Sequence, residues 1–107
     1  IRVAAQTTPA RAEELGLQVQ ELTDDLAQKL GYGGVDGVLV TGVKRGSPAG
    51  RASLRQGDLI QEVNREPVRN LLEFRQGLDA SEDKGTVLLL VRRGEYTRFV
   101  ALRLPEK

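Results

Sequence analysis

Hydrophobic and polar positions alternate most clearly from Leu17 to Leu22. Leu17 and Val19 fall on one side and Gln18 and Gln20 on the other, which predicts a half-buried strand. Thr23 then offers a cap for a short helix whose first turn carries Asp24 and Asp25, with Leu26, Ala27 and Leu30 as apolar positions. Gly31 and the Gly33-Gly34 pair end it. Val38-Leu39-Val40-Thr41-Gly42-Val43 is nearly continuous in apolar character and predicts a strand buried on both faces. Ser47-Pro48 predicts the start of another short helix, because serine caps well and proline is already set for the first helical position. Leu59 to Val63 reads as a strand that ends at the turn residues Asn64-Arg65-Glu66-Pro67. Asn70 followed by Glu73 has the form of a capping box and opens the strongest helix, Leu71 to about Asp79, with Leu71, Leu72, Phe74 and Leu78 as its apolar stripe. Thr86 to Arg92 and Tyr96 to Leu104 form a hairpin around Arg93-Gly94-Glu95, with Val100, Leu102 and Leu104 on one face.

The glycine between two leucines, Leu15-Gly16-Leu17, stands just before the first strand. A glycine there lets the backbone tighten until successive N–H groups converge, and such a nest favours a carboxylate with no catalytic side chain. Feeding directly into a strand, it reads as a peptide-capture device. Leu71, Arg75 and Leu78 sit at i, i+4 and i+7 and share one helix face.

Composition narrows the chemistry. The 107 residues fit one domain, with 39% apolar and only 4% aromatic residues, so the core is expected to be built from Leu, Val and Ala. Histidine and cysteine are both absent, which removes Ser-His-Asp and Cys-His catalysis, the usual zinc ligation and disulfides together. The chain is therefore expected to be no enzyme by itself and to hold no metal and no cofactor. Asp24 with Asp25 and Glu82 with Asp83 are acid pairs, read as helix-end and loop charge. Sixteen basic and fifteen acidic residues are scattered to a net charge of +1, and the few aromatics are dispersed, so nucleic acid is excluded as a partner. No apolar run reaches the length of a membrane span, and no membrane insertion is expected. Residues 1–12, with Thr7-Thr8-Pro9, read as an interdomain linker in which Ile1 and Val3 could form a short edge strand. Residues 13–104 read as the folded domain and 105–107 as a tail.

Taken in order, Leu15-Gly16-Leu17, Asp36-Gly37-Val38, Gly46-Ser47-Pro48-Ala49, Leu54-Arg55-Gln56-Gly57-Asp58-Leu59-Ile60 and Asn64-Arg65-Glu66-Pro67-Val68 closely resemble a PDZ domain. With the carboxylate loop near the N-terminus and the closing strand at the C-terminus, the order is that of the bacterial, permuted type. Leu15 to Thr23 followed by a short helix looks like the second PDZ domain of a Deg/HtrA-type periplasmic serine protease. The resemblance implies a mostly β fold with two or three short helices, a partly open antiparallel β-barrel or sandwich capped by helices. It also implies peptide binding by strand addition to a sheet edge. A C-terminal carboxylate would take the backbone N–H groups of Leu15, Gly16 and Leu17, and the groove would be bordered by Val19, Leu71, Arg75 and Leu78 over an apolar floor of Leu15, Leu17 and Val19.

On the same resemblance, the parent would be a homo-oligomeric serine endopeptidase of periplasmic protein quality control. The domain's partners would be C-terminal or unfolded peptide segments, together with the parent's protease domain and first PDZ domain. Two alternatives stand beside this reading: an assembly or docking domain with a vestigial groove, and a PDZ domain of a membrane metalloprotease or secretion scaffold. Glu13 and Glu14 place negative charge just before the carboxylate loop. Arg65 replaces the glycine often found in its turn.

Overall fold

A computed structural model of the chain describes residues 10–104. Its elements in order are helix α1 (Ala10–Glu14), strand β1 (Leu17–Glu21), helix α2 (Asp24–Leu30), strand β2 (Val38–Val43), helix α3 (Pro48–Arg51), strands β3 (Leu59–Val63) and β4 (Glu66–Pro67), helix α4 (Leu71–Ala80), a 3-10 turn (Glu82–Lys84), and strands β5 (Thr86–Arg93) and β6 (Tyr96–Arg103). The strands form one antiparallel sheet in the order β1-β2-β3-β5-β6, with the short β4 added to β3. The mostly β fold implied by the sequence is the one observed.

Local chemistry sets the helix ends as the sequence indicates. The Thr23 hydroxyl accepts from the Leu26 N–H at 3.2 Å, and Gly31 closes α2 in the left-handed conformation (φ 81°). Asn70 caps α4, its Oδ1 accepting from the Glu73 N–H at 2.8 Å. Glu73 returns the bond one residue earlier than a capping box requires, to the Arg69 N–H at 2.8 Å. Leu72, expected in the apolar stripe of α4, is exposed, and the buried face is made by Leu71, Phe74 and Leu78.

Two cores lie on opposite faces of the sheet, because neighbouring residues of a strand point to opposite sides. Val38 and Val40 join the main core with Phe74, Leu78, Leu89 and Leu102. Leu39, between them, joins Ala27, Tyr32 and Leu59 in a smaller cluster under α2 and the loop that follows it. The expected burial of β2 on both faces thus holds over Val38–Val40, while Thr41 to Val43 are only half-buried. Tyr32 anchors the second cluster, its hydroxyl donating toward the carbonyls of Gly57 at 2.9 Å and Arg92 at 3.1 Å.

Residues up to 12 read as linker, yet Ala10–Glu14 is helical and Ala12 is fully buried in the main core. Small residues carry little pattern, so the sequence offered no periodicity from which to see this turn of helix. Residues 1–9, including the suggested edge strand at Ile1 and Val3, and the tail at 105–107 lie outside the described residues.

The turn after β3 settles the question raised by Arg65. Asn64 (φ 53°) and Arg65 (φ 69°) are both left-handed between the paired residues Val63 and Glu66, which makes a two-residue type I′ hairpin. A side chain in that conformation costs about 1–2 kcal/mol. Asn64 offsets the cost by accepting from the Leu88 N–H at 3.0 Å and donating to the Ser81 hydroxyl, and the Arg65 guanidinium lies over the Phe99 ring at 5.9 Å.

Candidate functional site

Gly16 is the pivot between α1 and β1. Its φ of 87° is one that side-chain-bearing residues rarely adopt, and a Cβ there would stand 2.0 Å from the Ser47 hydroxyl oxygen and 2.2 Å from its Cβ. Ser47 cannot easily yield. Its hydroxyl donates to the Lys44 carbonyl at 2.6 Å and accepts from the Gly50 N–H at 3.1 Å, capping α3. The same region holds the turn through its carbonyls: the Ala49 N–H donates to Leu15 O at 3.0 Å and the Lys44 N–H to Gly16 O at 2.7 Å. α3 is therefore a clamp on the Leu15-Gly16 turn, a role the Ser47-Pro48 signal alone did not reveal.

The N–H groups assigned to carboxylate capture divide into two kinds. That of Leu15 donates to Ala12 O at 3.1 Å and that of Gly16 to Glu13 O at 2.9 Å, completing the last turn of α1. Leu17 is paired with Val43 in a register where the bonds run from Lys44 N–H to Gly16 O, so the N–H of Leu17 faces away from β2. Within the described sheet β1 is an edge strand, and the nest expected of three N–H groups presents one outward group and two already bonded. The cause is α1, which the linker reading of the sequence did not contain.

Of the residues expected to form a groove, all but Arg75 are brought together in the main core. α4 packs against α1, β1 and β3, and Gly77 allows the close approach to β3, since a Cβ there would meet Val63 Cγ1 at 2.9 Å. Leu15 (0% exposed), Leu17 (0%), Val19 (2%), Leu71 (4%) and Leu78 (0%) all belong to the main core, whereas Arg75 is exposed on α4. The far end of β1 is tied to the start of α4, where Glu21 Oε1 accepts from the Leu71 N–H at 3.3 Å. Glu13 and Glu14 are exposed at the C-terminal end of α1. No cluster of side chains able to hold a metal ion occurs among the described residues.

A second layer fixes the loop behind α3. Asp58 is buried and receives Arg93 through both carboxylate oxygens, at 2.8 and 3.0 Å, together with the Arg55 N–H at 3.0 Å. The hydrogen bond with Asp58 raises the Arg93 pKa above its ordinary value. Arg93 and Arg98 both donate to the Ser53 carbonyl, at 2.9 and 3.0 Å, lacing this loop to the β5-β6 hairpin.

An open-edged strand beside a helix, entered through a clamped glycine turn, agrees with the family model that matches residues 5–92, described as the PDZ domain. The chain belongs to the PDZ domain family. It is 38% identical over 95 residues to a probable periplasmic serine endoprotease, DegP-like, of Chlamydia trachomatis, a match covering 88% of this chain and 19% of that protein. Against the periplasmic serine endoprotease DegP of Escherichia coli it is 38% identical over 68 residues, covering 63% of this chain and 14% of DegP. The chain thus spans about a fifth of the length of the DegP-like relative of Chlamydia trachomatis and less of Escherichia coli DegP.

Among solved structures, the HtrA3 PDZ domain bound to a phage-derived ligand (FGRWV) superposes with a TM-score of 0.73 at 26% identity, covering 85% of this chain and 84% of that one. The HtrA-type protease AlgW with a decapeptide gives 0.72 at 26% identity, over 87% of this chain and 29% of AlgW. This PDZ domain therefore resembles those of HtrA/DegP-family serine proteases.

Proposed function

We propose that this PDZ domain is a noncatalytic peptide-binding module of a Deg/HtrA-like serine endopeptidase in periplasmic protein quality control, and that it recognises C-termini or unfolded segments by strand addition. The observation that carries the reading is the β1 edge, with the outward N–H of Leu17 at its head and α4 alongside. A peptide strand on β1 gains ladder hydrogen bonds, and one apolar terminal side chain contributes about 1.5–3 kcal/mol on burial. After association costs, the ceiling is about 8 kcal/mol, or micromolar affinity. The ligand carboxylate takes the Leu17 N–H first and competes with Ala12 O and Glu13 O for those of Leu15 and Gly16. Arg75 stands at the groove wall, where it meets the peptide's upstream side chains.

Calorimetric titration with peptides ending in Val, Leu or Ile, each as free acid and as C-terminal amide, tests this. Micromolar binding that weakens at least tenfold on amidation supports it. Absence of heat, or equal affinity for acid and amide, overturns C-terminal recognition. The peptide is the better partner to vary, because Leu17 is fully buried and replacing it disturbs the fold as well.

The second reading is an assembly or docking domain with a vestigial groove. The two N–H groups already bonded within α1 and the exposed Glu13 and Glu14 favour it. Light scattering of the full-length parent with and without this domain separates the two, since an unchanged oligomer removes the assembly role.

A further inference from the structure

The sheet has a second edge. Among the described residues β6 pairs with β5 alone, and the closing pair Arg93-Tyr96 of the two-residue hairpin, together with the Leu104 N–H donating to Gly85 O at 2.9 Å, fixes the alternation along it. Tyr96, Arg98, Val100 and Leu102 exchange hydrogen bonds with β5. Thr97, Phe99, Ala101 and Arg103 therefore turn their N–H and C=O groups away from it. The last part of this edge opens onto a cleft of about 710 Å³ between α3 and β6, lined by Pro48, Arg51 and Ala52 on the helix side and by Ala101, Arg103 and Leu104 on the strand side. A strand edge beside a helix repeats the arrangement of β1 and α4 on the other side of the fold.

The charges at the cleft are unbalanced. Arg51 and Arg103 are exposed and make no ion pair among the described residues, while Glu14 is the single acidic residue of the lining. Arg98 adds a third guanidinium at the Ala52 carbonyl, 3.4 Å away. Arginines on an edge discourage neutral and basic strands from pairing, and the same residues admit an acidic one. Pro48 and Ala52 on the helix side supply small apolar surface for the side chains that alternate with the acids.

We propose that the β6 edge and the α3 cleft form a second strand-addition site, for an extended internal segment of another polypeptide in which acidic and small apolar residues alternate. It needs no C-terminal carboxylate, so it is independent of the β1 groove. The probe is N-acetyl-Val-Glu-Val-Glu-Val-amide, titrated into the 15N-labelled full chain, with N-acetyl-Val-Lys-Val-Lys-Val-amide as control. Amide shifts at Phe99–Arg103 and Ala49–Ala52 with the acidic peptide, at least tenfold weaker with the basic one, support the proposal.

Ala101→Pro removes one outward N–H and no bond to β5, a substitution that edge strands tolerate, and it should abolish those shifts while leaving the rest of the spectrum in place. The double variant Arg51→Glu, Arg103→Glu should reverse the preference between the two peptides, and it keeps the test decisive if the proline variant is poorly folded. Shifts confined to β1 and α4, equal response to both peptides, or β6 shifts that depend on protein concentration without peptide, marking a second copy as the occupant, would each overturn it.

Discussion

Replacing Gly16 by alanine probes the turn on which the proposed groove depends. The left-handed φ of 87° costs an alanine about 1–2 kcal/mol by itself. Its Cβ would also stand 2.0 Å from the Ser47 oxygen, so Ser47 must leave the position in which it caps α3. Loss of a serine cap costs about 1 kcal/mol, and the total is about 2–3 kcal/mol. In a domain of this size that is a fall in Tm of roughly 10–20 °C.

Ser47→Gly removes the obstacle, and glycine serves as an N-cap at a cost of only about a few tenths of a kcal/mol. The double variant Gly16→Ala, Ser47→Gly should therefore be more stable than Gly16→Ala alone by about 1 kcal/mol. Urea and thermal unfolding of the wild type, the two single variants and the double variant measure this directly. A Gly16→Ala protein within about 0.5 kcal/mol of wild type, or a double variant showing simple additivity, would refute the clamp between α3 and the turn.

Other substitutions test the remaining supports. Tyr32→Phe leaves the carbonyls of Gly57 and Arg92 without their shared hydroxyl donor and should cost about 1–2 kcal/mol by urea unfolding. Asp58→Asn breaks the pair with Arg93 while keeping an acceptor for the Arg55 N–H, and because Arg93 is partly in water the loss should be only about 1–2 kcal/mol in the same assay. The raised pKa of Arg93 means that its share of this stability is fully present below the ordinary arginine range and is lost only as pH rises through the folded-state value, so stability from this group should stay flat across neutral pH. Gly77→Ala should destabilise despite a helix-propensity gain of about 1 kcal/mol, because the added methyl meets Val63 at 2.9–3.0 Å and drives α4 off β3. A thermal scan showing that variant at or above the wild-type Tm would contradict the tight packing.

The sheet was legible in the sequence because alternation writes burial directly: Leu17 and Val19 on β1, and Val100, Leu102 and Leu104 at the end of the chain, fall inside as their period requires. Caps were legible for the same local reason, with Thr23, Ser47 and Asn70 each bonding the N–H expected of a cap. α1 was hidden, since its five residues are small or charged and its helical state depends on Ala12 reaching a core made elsewhere. That omission carried into the site, where the carbonyls of α1 hold two of the three N–H groups read as a nest. Gly77 in the middle of the best helix and Tyr32 after a run of glycines also had no local explanation. Both are set by partners distant in sequence, Val63 for the one and Gly57 and Arg92 for the other.

Strand addition at β1 is tested most directly by a 15N–1H titration of the full chain with a valine-ended peptide and its C-terminal amide. The account predicts saturable shifts from Leu15 to Glu21 and along Leu71 to Leu78 for the free acid, strongly reduced for the amide, and none on β6. An unchanged spectrum at β1 and α4, or shifts there of equal size for acid and amide, would contradict it.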